Sequence, residues 1–531
     1  MKKTFSILLA LVMLLTLAVP AFAAEKAGSD VPNIYLQGQG AYLYRDGQPI
    51  FEGGDLPDGF LSEAVNGCMP YFKDAIKNDD EESWAAYREK FMEYFLPVFG
   101  KYALDKNGEA SDGSHIDWNG SIKGEGKYGD GSYKIRSFDF TQDWRLDPIE
   151  NAAKLKEYIQ KVKAATGSDK VNLVGRCEGA NVILALLADG DYSDINCVEL
   201  YVQSANGVDL ENALFSGRME FDGAALRRFK DTNDLVDSMT TDKVILEMID
   251  AVLEMTADTM LLDAGMAGIQ MLAPKLYKEL IVYVLRESYG TMPGIWSLVG
   301  PDYYQDARKG VFGGYEEEYA GLLEKLDNYD AKVRQRLPEI IDNAVAGGVK
   351  VANFPKYGNF QVQPLCDTNN EIGDNSVSLK FASFGATTAK YGSTLSADYI
   401  AKAKKNGTAK YISPDKMVDA STVLASIRDT TWFICGSEHR QFPDIIHDFM
   451  MKFLKADGNL TVFDDPTAPQ FMVYSKTEAG ESLVPMVEEN VETFESGNVV
   501  FKNVNWKDMF QRFLKAILTF VKQYLPILLK K

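Results

Sequence analysis

The sequence predicts an α/β fold, with a mostly parallel sheet flanked by helices, a large helical cap inserted into it and a C-terminal extension. Between residues 133 and 202, segments with strand and helix patterns alternate as strand, helix, strand, helix, strand, which is typical of a parallel sheet. Helical periodicity then takes over from 206 to 346. Strand patterns resume at 349–354 and 431–435. These observations predict a core of 24–205 and 347–455, a cap of 206–346 and an extension of 456–531.

The elements of the core follow in order. An apolar strand over 31–36 comes first, and a long insertion over about 41–130 separates it from the strand that ends at Phe140. Asp147, Pro148 and Glu150 then form a strong helix start, with an N-cap, a proline at the first helical position and an acid at the third. That helix is expected to end near Gly167, directly before a buried strand.

Residues 1–23 have the pattern of a secretory signal peptide. Lys2 and Lys3 precede an apolar stretch, and Ala21-Phe22-Ala23 forms a cleavage site. The apolar stretch is too short to span a bilayer. We therefore expect a bacterial protein that is secreted or otherwise extracytoplasmic, with an uncleaved N-terminal anchor as the alternative.

Charge and cysteine content limit the function further. Loss of Lys2 and Lys3 with the leader moves the formal net charge from −20 to −22, so the chain offers no basic surface for nucleic acid. The mature chain carries five cysteines, and in an oxidising compartment an odd number leaves at least one unpaired or bridged to another chain. The alternative is five reduced, mostly buried thiols. The chain has three histidines, His115, His439 and His447, whose spacing does not resemble a zinc site, and we expect no metal or other cofactor.

The most informative motif is the turn Gly175-x-Cys177-x-Gly179. It follows a Val/Leu strand and precedes an apolar helix, as in the Gly-x-Ser-x-Gly nucleophile elbow of α/β-hydrolases. The chain turns so sharply there that larger residues two before and two after the nucleophile would clash. Cys177 stands at the tip, where that pattern has serine. An ordinary glycine turn in another strand–helix unit is the alternative.

The loop after the first strand, Gln37-Gly38-Gln39-Gly40, is a candidate oxyanion loop. In hydrolases with this elbow, a loop after an early strand supplies one backbone N–H and the residue after the nucleophile supplies the other. We assign these donors to Gln39 and Glu178. An ordinary glycine turn is again the alternative.

With these motifs the chain resembles the lecithin:cholesterol acyltransferase-like branch of the α/β-hydrolases over roughly residues 30–455. The resemblance is carried by Phe138-Asp139-Phe140, Asp143-Trp144-Arg145-Leu146, the elbow over 171–179, and 292–298 (Met-Pro-Gly-Ile-Trp-Ser-Leu). The chain departs from the family at Cys177, where the family has serine. The resemblance implies an acyl hydrolase or O-acyltransferase.

The family's chain order is nucleophile, acid, histidine. The resemblance places the histidine at His439, a few residues after the last predicted strand; His447 lies in the following helix and His115 in a polar loop. Asp415 is our first choice for the acid, because 415–421 looks like the family's Asp-Gly-x-Val-x-x-Ser. Asp374, in the similar Asp-Asn-Ser-Val, is the second choice. Either aspartate could instead cap a turn.

A thiol at the elbow is chemically suited to acyl transfer. A helix N-terminus and a nearby imidazolium both favour thiolate, whereas a charged Glu178 would oppose it. The predicted function is an exported acyl hydrolase or O-acyltransferase that acts on esters, with lipids as one candidate class, through a Cys-His-Asp triad and an acyl-enzyme. The alternative is a catalytically degenerate binding protein that kept the fold and lost the serine.

The last 27 residues, 505–531, form a basic amphipathic pattern. The segment contains six basic residues and one acidic residue. Arg512, Lys515 and Lys522 recur on a polar stripe beside a wider apolar face. Such a helix is drawn to anionic lipid, so this tail is a candidate membrane-surface contact. Packing over the enzyme's own apolar surface is the alternative.

Overall fold

The computed structural model describes residues 31–39, 41–51, 60–118, 120, 137–223, 225, 260–358, 365–456, 458–477 and 480–488. Its strands are β1 (Asn33–Leu36), β2 (Leu43–Arg45), β3 (Gln48–Phe51), β4 (His115–Ile116), β5 (Ser137–Phe140), β6 (Val171–Arg176), β7 (Ile195–Tyr201), β8 (Lys350–Phe354), β9 (Lys356–Tyr357), β10 (Thr387–Thr388), β11 (Val418–Asp419), β12 (Phe433–Cys435), β13 (Phe471–Thr477) and β14 (Gly480–Pro485). Its α-helices are α1 (Phe60–Asn78), α2 (Glu81–Phe99), α3 (Pro148–Thr166), α4 (Glu178–Leu187), α5 (Asp209–Ser216), α6 (Met260–Leu276), α7 (Val282–Arg286), α8 (Pro293–Trp296), α9 (Pro301–Phe312), α10 (Ala320–Lys332), α11 (Leu337–Ala346), α12 (Leu379–Ala382), α13 (Ala397–Asn406) and α14 (Asp444–Lys455).

The centre of the fold is a parallel sheet in the order β5-β1-β6-β7-β8. The alternation predicted for 133–202 is present as β5, α3, β6, α4 and β7, which makes this an α/β fold with a parallel central sheet. Asp147 caps α3 by accepting from the Ile149 N–H, Pro148 opens the helix, and Gly167 ends it in the left-handed conformation.

The sheet continues beyond β8. Pro355 separates β8 from β9, and the order β9-β12-β13-β14 extends the sheet, with β12 parallel to both of its neighbours. Asn353 and Thr431 also form a parallel bridge, which joins the two halves. Strands β13 and β14 lie in the segment predicted as a polar extension. Part of that segment therefore continues the pairing that begins at β12, with β13 parallel to β12 and β14 antiparallel to β13.

The described residues from 209 to 346 contain α5 to α11, in agreement with the helical pattern. This helical region contacts both α4 and the loop after β5. Asn181 of α4 donates to the Ser297 hydroxyl at 2.9 Å, and the Gly294 N–H donates to the Arg145 carbonyl at 3.0 Å. A β-carbon on Gly294 would lie 2.0 Å from the Trp144 carbonyl oxygen, so this approach requires glycine.

The Asp143-Trp144-Arg145 element is structural. Arg145 is fully buried, pairs with both carboxylate oxygens of Asp143 at 2.9 and 2.7 Å, and donates to the Ser114 hydroxyl at 2.8 Å. A buried ion pair of this kind needs such extra hydrogen bonds to offset desolvation. The element thus fastens the loop after β5 to the inserted segment.

Two predictions fall outside the described residues: the signal peptide of 1–23 and the basic tail of 505–531. None of the helices within the described ranges has both the length and the apolar character needed to cross a bilayer.

Candidate active site

Cys177 stands at the junction of β6 and α4 with a backbone φ of 52° and ψ of −126°. A non-glycine residue in this region is strained, and such strain concentrates at functional turns. The flanking glycines are required by contact: a β-carbon on Gly179 would lie 2.4 Å from the Leu36 carbonyl oxygen, and one on Gly175 would lie 2.7 Å from the α-carbon of Ala180. The steric argument made from the sequence is therefore confirmed at both positions.

His439 follows β12 and is held by Asp374 through two hydrogen bonds. Its Nδ1 lies 2.8 Å from Oδ2 of Asp374, and its backbone N–H donates to the Asp374 carbonyl at 2.8 Å. A carboxylate can only accept, so Nδ1 carries the hydrogen. The Cys177 thiol lies beside the same imidazole. The structure thus brings together Cys177, His439 and Asp374, which follow β6, β12 and β9 respectively.

Asp415, the first choice for the acid, lies elsewhere. Its Oδ2 accepts from the Tyr357 hydroxyl at 2.7 Å, and its Oδ1 accepts from the Met417 N–H at 2.9 Å and from the Ser413 hydroxyl. Its carboxylate therefore closes a turn and anchors a buried tyrosine. The carboxylate against His439 is that of Asp374, the second choice.

The ring nitrogens of the other two histidines meet other groups. His115 is exposed and its Nδ1 lies 3.0 Å from the Gly113 carbonyl. His447 lies in α14, where its Nε2 is 3.1 Å from the Tyr35 hydroxyl.

The charges of the site favour a thiolate–imidazolium pair. Burial alone would raise the pKa of the Cys177 thiol, but His439 and the backbone N–H of Glu178 more than offset it, and the pKa lies below its ordinary value. Burial alone would lower the pKa of His439, but Asp374 and Cys177 raise it to about 10. Burial likewise opposes ionisation of Asp374, yet His439 holds the pKa of that carboxyl below its ordinary value.

Burial opposes the negative charge that Glu178 would otherwise place beside the thiol. Its side chain is fully buried, and burial together with nearby Cys177 and Asp143 raises its pKa well above the ordinary value. Burial therefore favours the neutral form of this carboxyl, which weakens its opposition to a thiolate at Cys177. Its backbone N–H faces the Cys177 sulfur.

The loop after β1 lies against Cys177 at Gly38, the residue before the selected Gln39. A β-carbon on Gly38 would lie 2.9 Å from the Cys177 β-carbon and 3.4 Å from its sulfur. Gln39 is exposed at the next position. Gly38 lies inside the predicted oxyanion loop, so the glycine pattern of that loop was the signal for it.

A second missed residue is Glu211, in the first turn of α5. Burial raises the pKa of this carboxyl to about 7, and nearby His439 partly opposes the rise. No motif in the sequence indicates that α5 approaches the site. Its approach follows from how the helical region folds back over the sheet.

The described residues contain no disulfide bond and no candidate metal site. All five cysteines fall inside these ranges, and each is a free thiol. Within the same ranges, no three His, Cys, Asp or Glu side chains gather into a group that could hold a metal ion.

Comparisons with known proteins do not assign a family. No protein-family model matches the chain, and no curated protein matches it. Among solved structures the chain is similar to one described as the crystal structure of the Tle4–Tli4 complex, with 15% sequence identity, over 35% of this chain and 48% of that chain, at a TM-score of 0.19. The match spans about half the length of that chain. A likeness at this score carries no argument about fold or function.

The shifted pKa values make a prediction about thiol reactivity. Burial raises the pKa of the other four thiols, Cys68, Cys197, Cys366 and Cys435, which gives an internal control. Iodoacetamide at pH 6 to 7 should therefore modify Cys177 first. Because its pKa is lowered, the rate should stay high below the ordinary thiol pKa and fall only when the pH drops through the lowered value.

The His439→Ala variant is the matched control for this profile. Without the imidazolium, burial should leave the Cys177 pKa above its ordinary value. The alkylation rate of Cys177 at pH 7 should then fall roughly tenfold for each pH unit by which its pKa exceeds that of the wild type. Intact-mass labelling followed by peptide mapping measures both. Faster labelling of any other cysteine in the native protein would contradict the thiolate assignment.

Proposed function

We propose that this chain is an α/β-hydrolase-type acyl-transfer enzyme, a hydrolase or O-acyltransferase for esters, in which Cys177 is the nucleophile, His439 the general base and acid, and Asp374 the acid of the triad. The observation that supports it best is the contact of His439 with Asp374 at 2.8 Å on one side and with the elbow thiol on the other. The chain order nucleophile, acid, histidine is that of the fold class.

The proposed reaction proceeds in two steps. The Cys177 thiolate attacks the ester carbonyl, a C–S bond forms, and the alkoxide leaves with the proton that His439 held. Water or an acceptor alcohol then gives a proton to His439 and attacks the thioester, which releases an acid or a new ester and regenerates the thiolate. Asp374 keeps the imidazole oriented and stabilises its charged form.

The oxyanion of each tetrahedral intermediate needs donors on a rigid backbone. The N–H of Glu178, at the start of α4, and that of Gln39, in the loop that touches Cys177, are the proposed donors. The helical region over 206–346 is proposed as the cap over this site, supported by its contacts with Asn181 and Arg145.

Trapping of the acyl-enzyme tests the proposal directly. Mature protein mixed with a short-chain aryl ester should gain the mass of one acyl group on Cys177, because aryl esters acylate thiolates readily while deacylation is slower. The adduct should be released by neutral hydroxylamine, which cleaves thioesters. Cys177→Ser is the control, since an oxygen ester at this position resists that treatment.

A stable protein that neither forms the adduct nor turns over any ester would favour the alternative, a binding protein that kept the hydrolase scaffold. Export, an ester or lipid substrate and membrane contact through 505–531 belong to the same proposal. They rest on the sequence patterns described above.

A further inference from the structure

Lys356 is a buried lysine whose ammonium group bonds to main-chain carbonyls. Its side chain is fully buried at the start of β9, and its Nζ donates to the Glu438 carbonyl at 2.8 Å and to the Gln441 carbonyl. A buried lysine is costly unless its donors are satisfied. Both of the carbonyls that satisfy it belong to the short loop that carries His439.

Two further side chains bind the same loop. The Tyr201 hydroxyl, at the end of β7, donates to the Gln441 carbonyl at 2.8 Å, and its ring lies 4.7 Å from the Lys356 ammonium. Arg176, at the end of the elbow strand, donates to the Arg440 carbonyl at 2.7 Å. Lys356, Tyr201 and Arg176 together form what we call the carbonyl clamp.

We propose that Lys356, at the centre of the carbonyl clamp, is a positioning residue that holds the His439 loop so that the imidazole meets both Asp374 and Cys177. The clamp binds carbonyls one residue before and one and two residues after His439, which restricts the backbone on both sides of the ring. Arg176 ends β6, Tyr201 ends β7 and Lys356 begins β9. The clamp therefore fixes the position of the His439 loop relative to β6, the strand that leads into Cys177.

The reason for using a lysine here is geometric. An ammonium group offers three donors on a flexible stem, so one side chain can reach two carbonyls that lie three residues apart. Catalytic geometry must be held to within about 0.5 Å by residues that do not themselves react. That Lys356 supports catalysis rests on the proposed function, whereas its hydrogen bonds to the His439 loop do not depend on that function.

The electrostatic surroundings of Lys356 set the pH of the test. Burial lowers its pKa to about 7; Asp374 and Glu438 oppose this shift and Arg176 adds to it. At pH 6, about one unit below that value, most of the amine is protonated and offers all three donors.

The test compares Lys356→Met with Lys350→Met in the mature chain at pH 6. Lys350 is a matched control, because its Nζ also donates to one backbone carbonyl, that of Ala456 at 3.1 Å, and lies 5.9 Å from an aromatic ring, that of Phe453. Hydrogen exchange of the 436–442 amides and Cys177 alkylation are measured together. In Lys356→Met we expect the His439 amide to exchange about tenfold faster or more and Cys177 alkylation to slow about tenfold. Lys350→Met should change neither.

Tyr201→Phe keeps the proposal testable if Lys356→Met does not fold. It removes one hydroxyl donor and keeps the ring beneath the ammonium, and it should shift both readouts in the same direction by a smaller factor. Unchanged exchange and unchanged alkylation in the folded clamp variants would overturn the proposal. If wild-type Cys177 proves unreactive, the proposed function fails, while the exchange of the loop amides still decides the clamp.

Discussion

Cys177→Ala and His439→Ala should each lower ester turnover by about 10⁴-fold or more, and the double variant should lose no more than either single one. The neighbouring imidazolium favours the thiolate, and without the thiolate there is no attack that forms a leaving alkoxide for the imidazolium to protonate. Removing either residue therefore removes the same reaction step. Values of kcat/KM on short-chain aryl esters and thioesters for the two single variants and the double variant test this.

His447→Ala is the control for the loss of an imidazole. The imidazole paired with Cys177 is that of His439, whereas His447 bonds the Tyr35 hydroxyl, so removal of His447 should change turnover by a few-fold at most. Losses that add across the double variant would mean that Cys177 and His439 act independently, contrary to the proposed mechanism. Thermal unfolding of each variant separates loss of chemistry from loss of fold.

The fold was predictable from the sequence wherever an element carries its own signal. The capped helix α3 and the elbow strand β6 have strong local patterns, and both lie where these patterns place them. Strand β13 was missed because only its first half is apolar and buried, while Ser475, Lys476 and Thr477 are exposed. Its pairing with β12 is a tertiary contact, and the local pattern of a polar segment does not predict such a contact.

The aspartate that meets His439 was harder to predict, because Asp374 and Asp415 are locally alike. Each is followed three residues later by valine, and each closes a turn: Oδ1 of Asp374 accepts from the Val377 N–H at 2.9 Å, and Oδ1 of Asp415 accepts from the Met417 N–H at 2.9 Å. The difference lies in Oδ2, which meets His439 in one case and Tyr357 in the other. These partners are 65 and 58 residues away, so the local motif cannot choose between the two aspartates.

The structure therefore predicts opposite outcomes for the same substitution at these two positions. Asp374→Asn should lower kcat/KM by roughly 10²- to 10⁴-fold. Its amide oxygen can keep the N–H bonds of Ser376 and Val377, which turns the NH₂ group toward Nδ1 of His439. Nδ1 must then accept a hydrogen bond, the ring hydrogen moves to Nε2, and the imidazole can no longer take a proton at that nitrogen.

Asp415→Asn is the matched control, and its effect should be on stability. The substitution weakens the charge-assisted bond from the Tyr357 hydroxyl at a cost of about 1–2 kcal/mol and leaves kcat/KM within a few-fold of the wild type. The alkylation profile of Cys177 adds a readout of the ion pair. Without the Asp374 carboxylate the His439 pKa should fall, and Cys177 should react more slowly at pH 6 to 7 in Asp374→Asn and at the wild-type rate in Asp415→Asn. An active Asp374→Asn beside an inactive but folded Asp415→Asn would return the role of the acid to Asp415, and the contact between Asp374 and His439 would then have only a structural meaning.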